Sequence, residues 1–477
     1  MVFSSLSFLT LFLPLTILLY FAVPRRFRNL LLFLASLIFY AWGEPVYIVL
    51  MLFSSVVDYS HGLLMEKFDG RPGVRRALLI SSVAINLSLL GFFKYAGLVV
   101  STLNAALSLS IPVPSVALPV GISFYTFQTM SYSIDVYRRN CPAQRDPIAF
   151  GCYVTMFPQL IAGPIVRYVD VMREINDRRE TFEGFFLGIR RFLVGLAKKL
   201  ILANGVGMLW DSVSAQPAAS LSALSAWLGV LAYAFQIYFD FSGYSDMAVG
   251  LGSALGFTCP ENFNHPFAAT SITDFWRRWH ISLSLWFRDY LYIPLGGSRR
   301  GRWRTAANKA VVFVLCGLWH GANMTFVLWG AWHALLSALE SLKVLDVERW
   351  RKTAAGRVLS RVYTLLAVCL GFVMFRASSV SEGFAVLGAM FTGWDFSLAG
   401  DLLLARTVDA YTVLVLALSA LLSLPVLDAL KSRLARSGGR IGAGAEVASY
   451  ALCAVLLVVC ASALASGGFA PFIYFQF

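Results

Sequence analysis

Residues 310–339 form a stretch of thirty residues without a single Asp, Glu, Lys or Arg. A helix rises about 1.5 Å per residue, so this stretch is long enough to cross the hydrocarbon core of a bilayer, which is about 30 Å thick. Two of the chain's five histidines, His320 and His333, lie inside it. Ionisable groups at that depth are costly and usually mark a function or a pathway. We therefore expect a membrane-crossing segment here, with His320 as the chemical centre of the protein.

The chain as a whole is also apolar. Of its 477 residues, 58% are hydrophobic and 14% are charged, whereas soluble domains carry about 25% charged residues. Charge-free runs occupy residues 1–24, 95–134, 212–239, 310–339, 410–427 and 447–477. Shorter apolar stretches lie near 30–41, 46–57, 77–93, 148–163, 192–208 and 362–375. This pattern predicts an all-α polytopic membrane protein with about eleven transmembrane helices, together with re-entrant and interfacial helices.

The net charge of +13 does not indicate nucleic-acid binding, because the Lys and Arg residues lie in short clusters between apolar runs. Such clusters are typical of cytoplasmic loops. The first of them, at 25–28, follows the first apolar run, and others lie at 67–76 and 138–139. We therefore expect the N-terminus outside and these loops in the cytoplasm. Residues 1–24 carry no charge and no convincing cleavage site follows, so the first helix is expected to remain in the protein.

The organisation along the chain favours a single membrane domain over residues 1–477. Residues 1–115 resemble helical hairpins that serve as scaffold. Residues 116–340 are expected to hold the core, because Pro, Gly and aromatic residues interrupt helical periodicity in 116–170, and broken helices at membrane depth require protein or a cavity around them. Residues 341–477 follow as C-terminal helices.

The cysteines predict neither a disulfide framework nor a metal site. The chain has seven, an odd number, and it contains no C-x-x-C motif or His/Cys cluster. We expect no metal and no tightly bound cofactor.

The surroundings of His320 suggest general-base chemistry. Gly317 and Gly321 flank it with a G-x-x-x-G spacing, which lets a neighbouring helix approach closely. A neutral imidazole can take a proton from a hydroxyl acceptor that attacks a thioester. Cys316, four residues earlier, is either a covalent acyl relay or a packing residue. Asn323 orients the imidazole, donates to the developing oxyanion, or makes a structural hydrogen bond.

The other histidines have different expected roles. His280 is a second polar group for positioning the substrate, with an interfacial hydrogen bond as the alternative. On one continuous helix, His333 would point about 220° away from His320, so the two would not share a face. His61 and His265 are expected to be non-catalytic.

The segment from Phe275 to Gly297 mixes aromatic and cationic residues. Its Phe275, Trp279, Leu283 and Trp286 have helical spacing, which predicts one interfacial helix with an aromatic belt. From Phe275 to Lys309 the chain carries eight basic residues against the single acid Asp289. They are Arg277, Arg278, Arg288, Arg299, Arg300, Arg302, Arg304 and Lys309. They either bind the phosphates of coenzyme A, with Arg277, Arg278 and Arg288 as candidates, or serve positive-inside topology alone.

The segment Y-F-D-F-S-G-Y-S-D-M-A-V-G, residues 238–250, places Asp240 and Asp246 near the end of an apolar run. These carboxylates either contribute to a proton pathway or a sugar contact, or cap and pair with nearby arginines.

Four motifs together carry a family resemblance. They are Y-F-D-F-S-G-Y-S-D-M-A-V-G, E-N-F-N-H-P-F, F-W-R-R-W-H-I-S-L-S-L-W-F-R-D-Y-L-Y-I-P-L-G-G and L-W-H-G-A-N-M-T-F-V-L-W-G-A-W-H. The chain resembles the membrane-bound O-acyltransferase family, in particular its bacterial alginate O-acetyltransferase branch, over most of residues 1–340. The resemblance implies a multi-helix fold around a funnel or tunnel, with His320 as the catalytic residue and His280 at the second polar position.

The resemblance also implies a reaction. Acetyl from a cytoplasmic donor, acetyl-CoA, would pass through the membrane, commonly to a partner acetyltransferase outside that decorates a polysaccharide. Met324 and Ala334 depart from the family pattern, which puts the size of the acceptor and acyl chain in doubt.

Other functions stay open from the sequence alone. Peptidoglycan O-acetylation and D-alanyl transfer to teichoic acid share the same core. From a different class, a proton-coupled transporter or flippase would relay protons through His320, Asp240 and Asp246, and it predicts matching repeats in the two halves, which we do not find.

Overall fold

A computed structural model describes residues 1–114, 116–217, 220–392, 394, 406–437, 439–467 and 472–473. The described residues form helices, turns and irregular segments, with no β-strand among them. They divide into two compact units. Unit 1 comprises Met1–Phe192 and Tyr244–Glu261, and unit 2 comprises Leu193–Gly243 and Asn262–Phe477.

Unit 1 contains the N-terminal helices. Their bounds are α1 Leu13–Ala22, α2 Arg28–Ala41, α3 Ile48–Lys67, α4 Pro72–Leu107, α5 Ile122–Arg138, α6 Pro147–Thr155 and α7 Tyr168–Asn176, followed by most of α8 Phe182–Ala197. Pro14, Pro72 and Pro147 stand in the first turn of α1, α4 and α6, where the missing N–H costs nothing. Residues 156–166 are non-helical and buried within unit 1. The expected helix breaks in 116–170 are therefore confirmed.

Unit 2 contains the remaining helices. They are α9 Asn204–Ser214, most of α10 Ala223–Ala254, α11 Ile272–Trp276, α12 Ile281–Phe287, α13 Arg302–His320, α14 Met324–Ser341, α15 Val347–Trp350, α16 Ala354–Arg376, α17 Val380–Thr392, α18 Ala410–Leu422, α19 Val426–Ser437 and α20 Gly439–Ala465. A π-helical segment, Lys198–Ala203, joins α8 to α9, and another, Arg288–Tyr292, follows α12.

Several helices can cross a membrane. Within the described part of the chain, six are long and apolar enough, namely Ile48–Lys67, Pro72–Leu107, Phe182–Ser214, Ala223–Ala254, Ala354–Arg376 and Glu446–Ala465. Their outer faces carry exposed Leu and Val side chains, which lipid can cover. The chain is thus an all-helical, multi-pass membrane protein. Phe8–Ala22, Val380–Thr392 and Ala410–Leu422 are apolar but shorter, so the expectation of about eleven spans stays a prediction.

The stretch 310–339 does not form one membrane-crossing helix, and that prediction is wrong. It breaks after His320, and α13 and α14 fold back on each other as a hairpin. A Cβ added to Gly317 would lie 2.3 Å from the carbonyl oxygen of Phe326, and one added to Gly330 would lie 2.5 Å from that of Phe313. Such contacts are possible only for glycine, so these residues let the two backbones meet.

The segment from Phe275 to Gly297 is not one interfacial helix either. α11 ends at Trp276, and His280 adopts a left-handed conformation with φ +44° before α12 begins. Phe275, Trp279 and Leu283 are buried in unit 2, as is Trp286. The helical spacing of the aromatic residues therefore reflects core packing rather than a belt at the lipid surface.

Candidate active site

The imidazole of His320 lies at the tip of the α13–α14 hairpin, in the last residue of α13. Its Nδ1 lies 2.7 Å from the carbonyl oxygen of Cys316. Because a carbonyl only accepts hydrogen bonds, Nδ1 carries the proton of the neutral ring. Nε2 is then the basic nitrogen, and the bond to Cys316 fixes which nitrogen can take a proton.

Aromatic rings hold the orientation of His320. Its ring centroid lies 4.9 Å from Trp319, 4.9 Å from Trp329 and 5.3 Å from Phe375, all in edge-on geometry. Only 4% of the residue is exposed. A buried apolar cage of this kind keeps bulk water from the imidazole and limits its rotation.

Cys316 lies on the same face of α13 as His320, as its spacing predicts. Its Sγ is 3.8 Å from Nδ1 of the histidine. The thiol therefore faces the protonated nitrogen, whereas a thiol activated by His320 would need to face the basic one. This geometry favours the packing interpretation of Cys316.

Asn323 caps the hairpin. Its Oδ1 accepts from the backbone N–H of Thr325 at 3.1 Å, at the first turn of α14, and its Nδ2 donates to the carbonyl of Ser378 at 2.9 Å. Both ends of the amide thus have structural partners, and these support the structural alternative for this residue.

His280 is completely buried. Its Nδ1 lies 3.1 Å from Oδ1 of Asn262, which also accepts from the backbone N–H and hydroxyl of Ser282. The left-handed backbone of a non-glycine residue costs about 1–3 kcal/mol, and such residues cluster at active sites, although His adopts this conformation more readily than most residues. The ring centroid of Trp319 lies 6.1 Å from His280 and 4.9 Å from His320, so the two histidines flank one indole.

Asn262 is a site residue that the sequence patterns did not predict. It belongs to the motif E-N-F-N-H-P-F, so the signal was present, but the motif does not reveal that its second residue reaches across to His280.

His333 lies on α14, and the prediction that it points away from His320 is wrong because that prediction assumed one continuous helix. The hairpin brings both rings onto Trp329, 4.9 Å from His320 and 5.1 Å from His333. The indole N–H of Trp276 donates to Nδ1 of His333 at 3.2 Å. His333 is therefore a buried residue held by this hydrogen bond and by packing on Trp329.

A cavity of about 440 Å³ opens beside the hairpin in unit 2. Its wall includes the hydroxyl groups of Ser284, Ser298 and Thr305, and aromatic rings such as Phe313. It reaches Cys316, one helical turn from His320. Its size falls in the range of small-molecule sites, which is about 300–1,000 Å³.

Three cationic residues, Arg277, Arg288 and Lys309, line this cavity. Arg277 and Arg288 are exposed, and Lys309 is partly buried with its Nζ 2.9 Å from the hydroxyl of Ser341. Arg278 is not among the lining residues, and its guanidinium pairs with Asp274 at 2.9 Å. The structure thus brings two of the three candidate arginines to the cavity and adds Lys309.

The carboxylates of α10 have cationic partners. Asp240 pairs with Lys199 in unit 2 and accepts from the backbone N–H of Ile473 at 2.7 Å. Asp246 pairs with Arg191 at 2.7 Å in unit 1. These contacts favour the interpretation that the two carboxylates pair with nearby cations. The partner of Asp246 is an arginine, as expected, whereas the partner of Asp240 is a lysine.

The remaining histidines also have local partners. His61 contacts the carbonyl of Val57 at 2.7 Å and the hydroxyl of Ser81 at 2.9 Å. His265 contacts Asp428 at 2.8 Å.

Comparison with known proteins extends these observations. The model of a family described as membrane-bound O-acyltransferase matches residues 115–380, which include His280, the hairpin and every residue that lines the cavity. A probable alginate O-acetylase of Azotobacter vinelandii is 41% identical over 100% of both chains. Another, from Pseudomonas aeruginosa, is 44% identical over 82% of this chain and 75% of its own. A peptidoglycan O-acetyltransferase of Helicobacter pylori is 34% identical over 82% of this chain and 80% of its own.

Proposed function

This chain belongs to the membrane-bound O-acyltransferase family and is an O-acyltransferase, and we propose that it moves acetyl groups from cytoplasmic acetyl-CoA across the bacterial inner membrane to an extracytoplasmic polysaccharide. Alginate or another exopolysaccharide is the proposed acceptor, since relatives at 41% and 44% identity are named as alginate O-acetylases. About eleven crossings, a central tunnel and an external N-terminus are part of this proposal.

One observation carries the chemistry. The cavity reaches Cys316, whose carbonyl orients the imidazole of His320 at 2.7 Å. We infer that Nε2 takes the proton of the acceptor hydroxyl while the hydroxyl oxygen attacks the thioester carbonyl. The C–O bond forms, the C–S bond breaks, and the proton on Nε2 leaves with the thiolate as coenzyme A. General-base assistance of this kind contributes about 10²–10⁴-fold.

The cavity suits the donor end of the reaction. Arg277 and Lys309 supply positive charge where the phosphates of coenzyme A would lie, and Arg288 lines the same cavity but is paired with Asp289 at 2.7 Å. The hydroxyl groups of Ser298 and Thr305 can donate further hydrogen bonds. The pantetheine arm would then extend along the apolar wall toward Cys316. His320 is only 4% exposed, so the side chains between Cys316 and His320 must move locally before the thioester can reach Nε2.

His280 is proposed to position the reacting group. Nδ1 of His280 donates its proton to Oδ1 of Asn262, so Nε2 of His280 is the nitrogen that can accept a hydrogen bond. The His280 ring lies beside Trp319, on which the His320 ring also packs. The polysaccharide would be acetylated outside the membrane by a partner acetyltransferase. This partner would receive the acetyl group from this chain.

Purified protein in vesicles tests the proposal. Acetyl-CoA labelled in the acetyl group is supplied on one side, and release of coenzyme A thiol and transfer of label to alginate oligosaccharides are measured with and without an extracytoplasmic partner. Label transfer that requires His320 supports the proposal. Uptake of a polysaccharide substrate without any acyl donor, or thiol release unchanged by loss of the imidazole, contradicts it.

Cell-wall O-acetylation is the second candidate. It is favoured by the 34% identity to a peptidoglycan O-acetyltransferase over 82% of this chain. The same assay with muropeptides in place of alginate separates the two. A D-alanyl group delivered by a carrier protein is the remaining donor alternative, and acetyl-CoA-independent activity would reveal it.

A further inference from the structure

A buried carboxylate in unit 1 has no part in the acyl-transfer proposal. Asp58 lies in α3, and its side chain is completely buried. Its Oδ1 accepts from the hydroxyls of Ser82 at 2.5 Å and Ser133 at 2.9 Å, and its Oδ2 accepts from Nδ2 of Asn86 at 2.8 Å. The hydroxyl of Thr129 lies beside the carboxylate and donates to the carbonyl oxygen of Thr126 at 3.3 Å. The cluster therefore joins three helices, α3, α4 and α5.

No positively charged side chain compensates Asp58 within the described part of the chain, where none of the ion pairs includes it. His61, one turn further along α3, directs its ring to Val57 and Ser81 instead. Oδ2 accepts from an amide nitrogen, which can only donate, and two hydroxyls point at Oδ1. An ionised carboxylate can accept all three of these bonds, and it is costly in a membrane helix without a countercharge.

A second observation points to a ligand. Asn86 is completely buried, and its Nδ2 donates both to Asp58 and to the backbone carbonyl of Ser82 at 3.0 Å. These two acceptors fix the orientation of the amide. Its Oδ1 is left buried without a hydrogen-bond partner. A buried acceptor without a donor is costly unless a cation or water meets it.

We propose that this cluster binds a small monovalent cation, Na⁺. Its ligands would be the carboxylate of Asp58, Oδ1 of Asn86, and the hydroxyl oxygens of Ser82, Thr129 and Ser133, whose lone pairs remain available while their protons are donated. An all-oxygen set suits hard cations. One carboxylate balances one positive charge, whereas a divalent ion would leave a net charge buried in the membrane. The bound ion would stabilise the packing of α3, α4 and α5.

Thermal unfolding of the purified full-length chain tests the site. NaCl is replaced stepwise by N-methyl-D-glucamine chloride at constant ionic strength, so that general screening does not change. The expected rise in Tm is about 1–2 °C for each tenfold increase of Na⁺ above its dissociation constant. Asp58→Asn should abolish this dependence, and Ser133→Ala should shift it to higher Na⁺ concentrations.

Ser55→Ala is the matched control. Ser55 lies one turn before Asp58 on the same helix, but its hydroxyl donates to the carbonyl of Met51 at 2.8 Å, so this variant should keep the full Na⁺ dependence. A wild-type Tm independent of Na⁺ would overturn the proposal and indicate a protonated Asp58. A rise of equal size in Asp58→Asn would overturn it as well. The measurement needs no acyl donor, so its failure is distinct from a failure of the proposed function.

Discussion

Replacement of His320 by Asn separates the chemistry of the imidazole from its packing. The amide nitrogen of the new side chain can take the place of Nδ1 and donate to the carbonyl of Cys316, now held at 2.7 Å. No basic nitrogen stands at the position of Nε2. Loss of general-base assistance lowers kcat by about 10²–10⁴-fold, which corresponds to about 2.7–5.5 kcal/mol of transition-state stabilisation.

The same substitution removes edge-on ring contacts at 4.9, 4.9 and 5.3 Å. At about 0.5–1.5 kcal/mol for each aromatic pair, the loss amounts to about 1.5–4.5 kcal/mol of folding stability. A control variant must therefore lose a similar amount of folding stability without losing the proposed base. His333→Asn is such a variant, because His333 contacts Trp276 at 5.3 Å, Trp329 at 5.1 Å and Phe313 at 6.1 Å, and the amide oxygen can still accept the indole proton of Trp276.

The assay follows coenzyme A thiol release from acetyl-CoA by the purified variants, at a temperature below both melting transitions. We expect comparable losses of Tm in the two variants, with the large loss of kcat confined to His320→Asn. A kcat of His320→Asn within about tenfold of the wild-type value, or an equal loss of kcat in His333→Asn, would refute the role of His320 as the base.

Further substitutions test the rest of the site. Lys309→Gln should raise the KM for acetyl-CoA by about tenfold with kcat unchanged. Arg278→Gln should change this KM by less than about twofold, because the Arg278 guanidinium is paired with Asp274. Initial rates over a range of acetyl-CoA concentrations distinguish the two variants. Cys316→Ala should retain kcat within about tenfold, and a loss beyond about 10²-fold, or an acetyl adduct on the thiol detected by mass spectrometry, would indicate a covalent relay. Gly330→Val should destabilise the hairpin by at least about 2 kcal/mol, because a Cβ there lies 2.5 Å from a backbone carbonyl of α13; an unchanged Tm would contradict the close approach of the helices.

Some features could be derived from individual segments. The apolar runs predict helices because a bilayer leaves no other partner for the backbone, and Pro14, Pro72 and Pro147 mark helix starts for a local steric reason. The glycine spacing around His320 predicts close helix packing, and the hairpin confirms it. The four-residue spacing from Cys316 to His320 likewise determines that the two share a face.

Other features depend on contacts between distant residues. The break at 321–323 turns one long apolar stretch into a hairpin, so that His320 and His333 meet at Trp329 although their spacing on one helix would separate them. Asn262 reaches His280 across eighteen positions, and the sequence holds no signal for that pairing. The buried oxygens around Asp58 come from three helices.

The sequence by itself therefore determined the class of protein, its helices and the histidine on which its chemistry is proposed to depend, because hydropathy and local sterics act between neighbouring residues. Only the tertiary structure decided which rings from other helices surround His320, which cations line the cavity and which carboxylates have partners. Those properties depend on distances of a few ångströms between side chains far apart in the chain, and no local pattern specifies them.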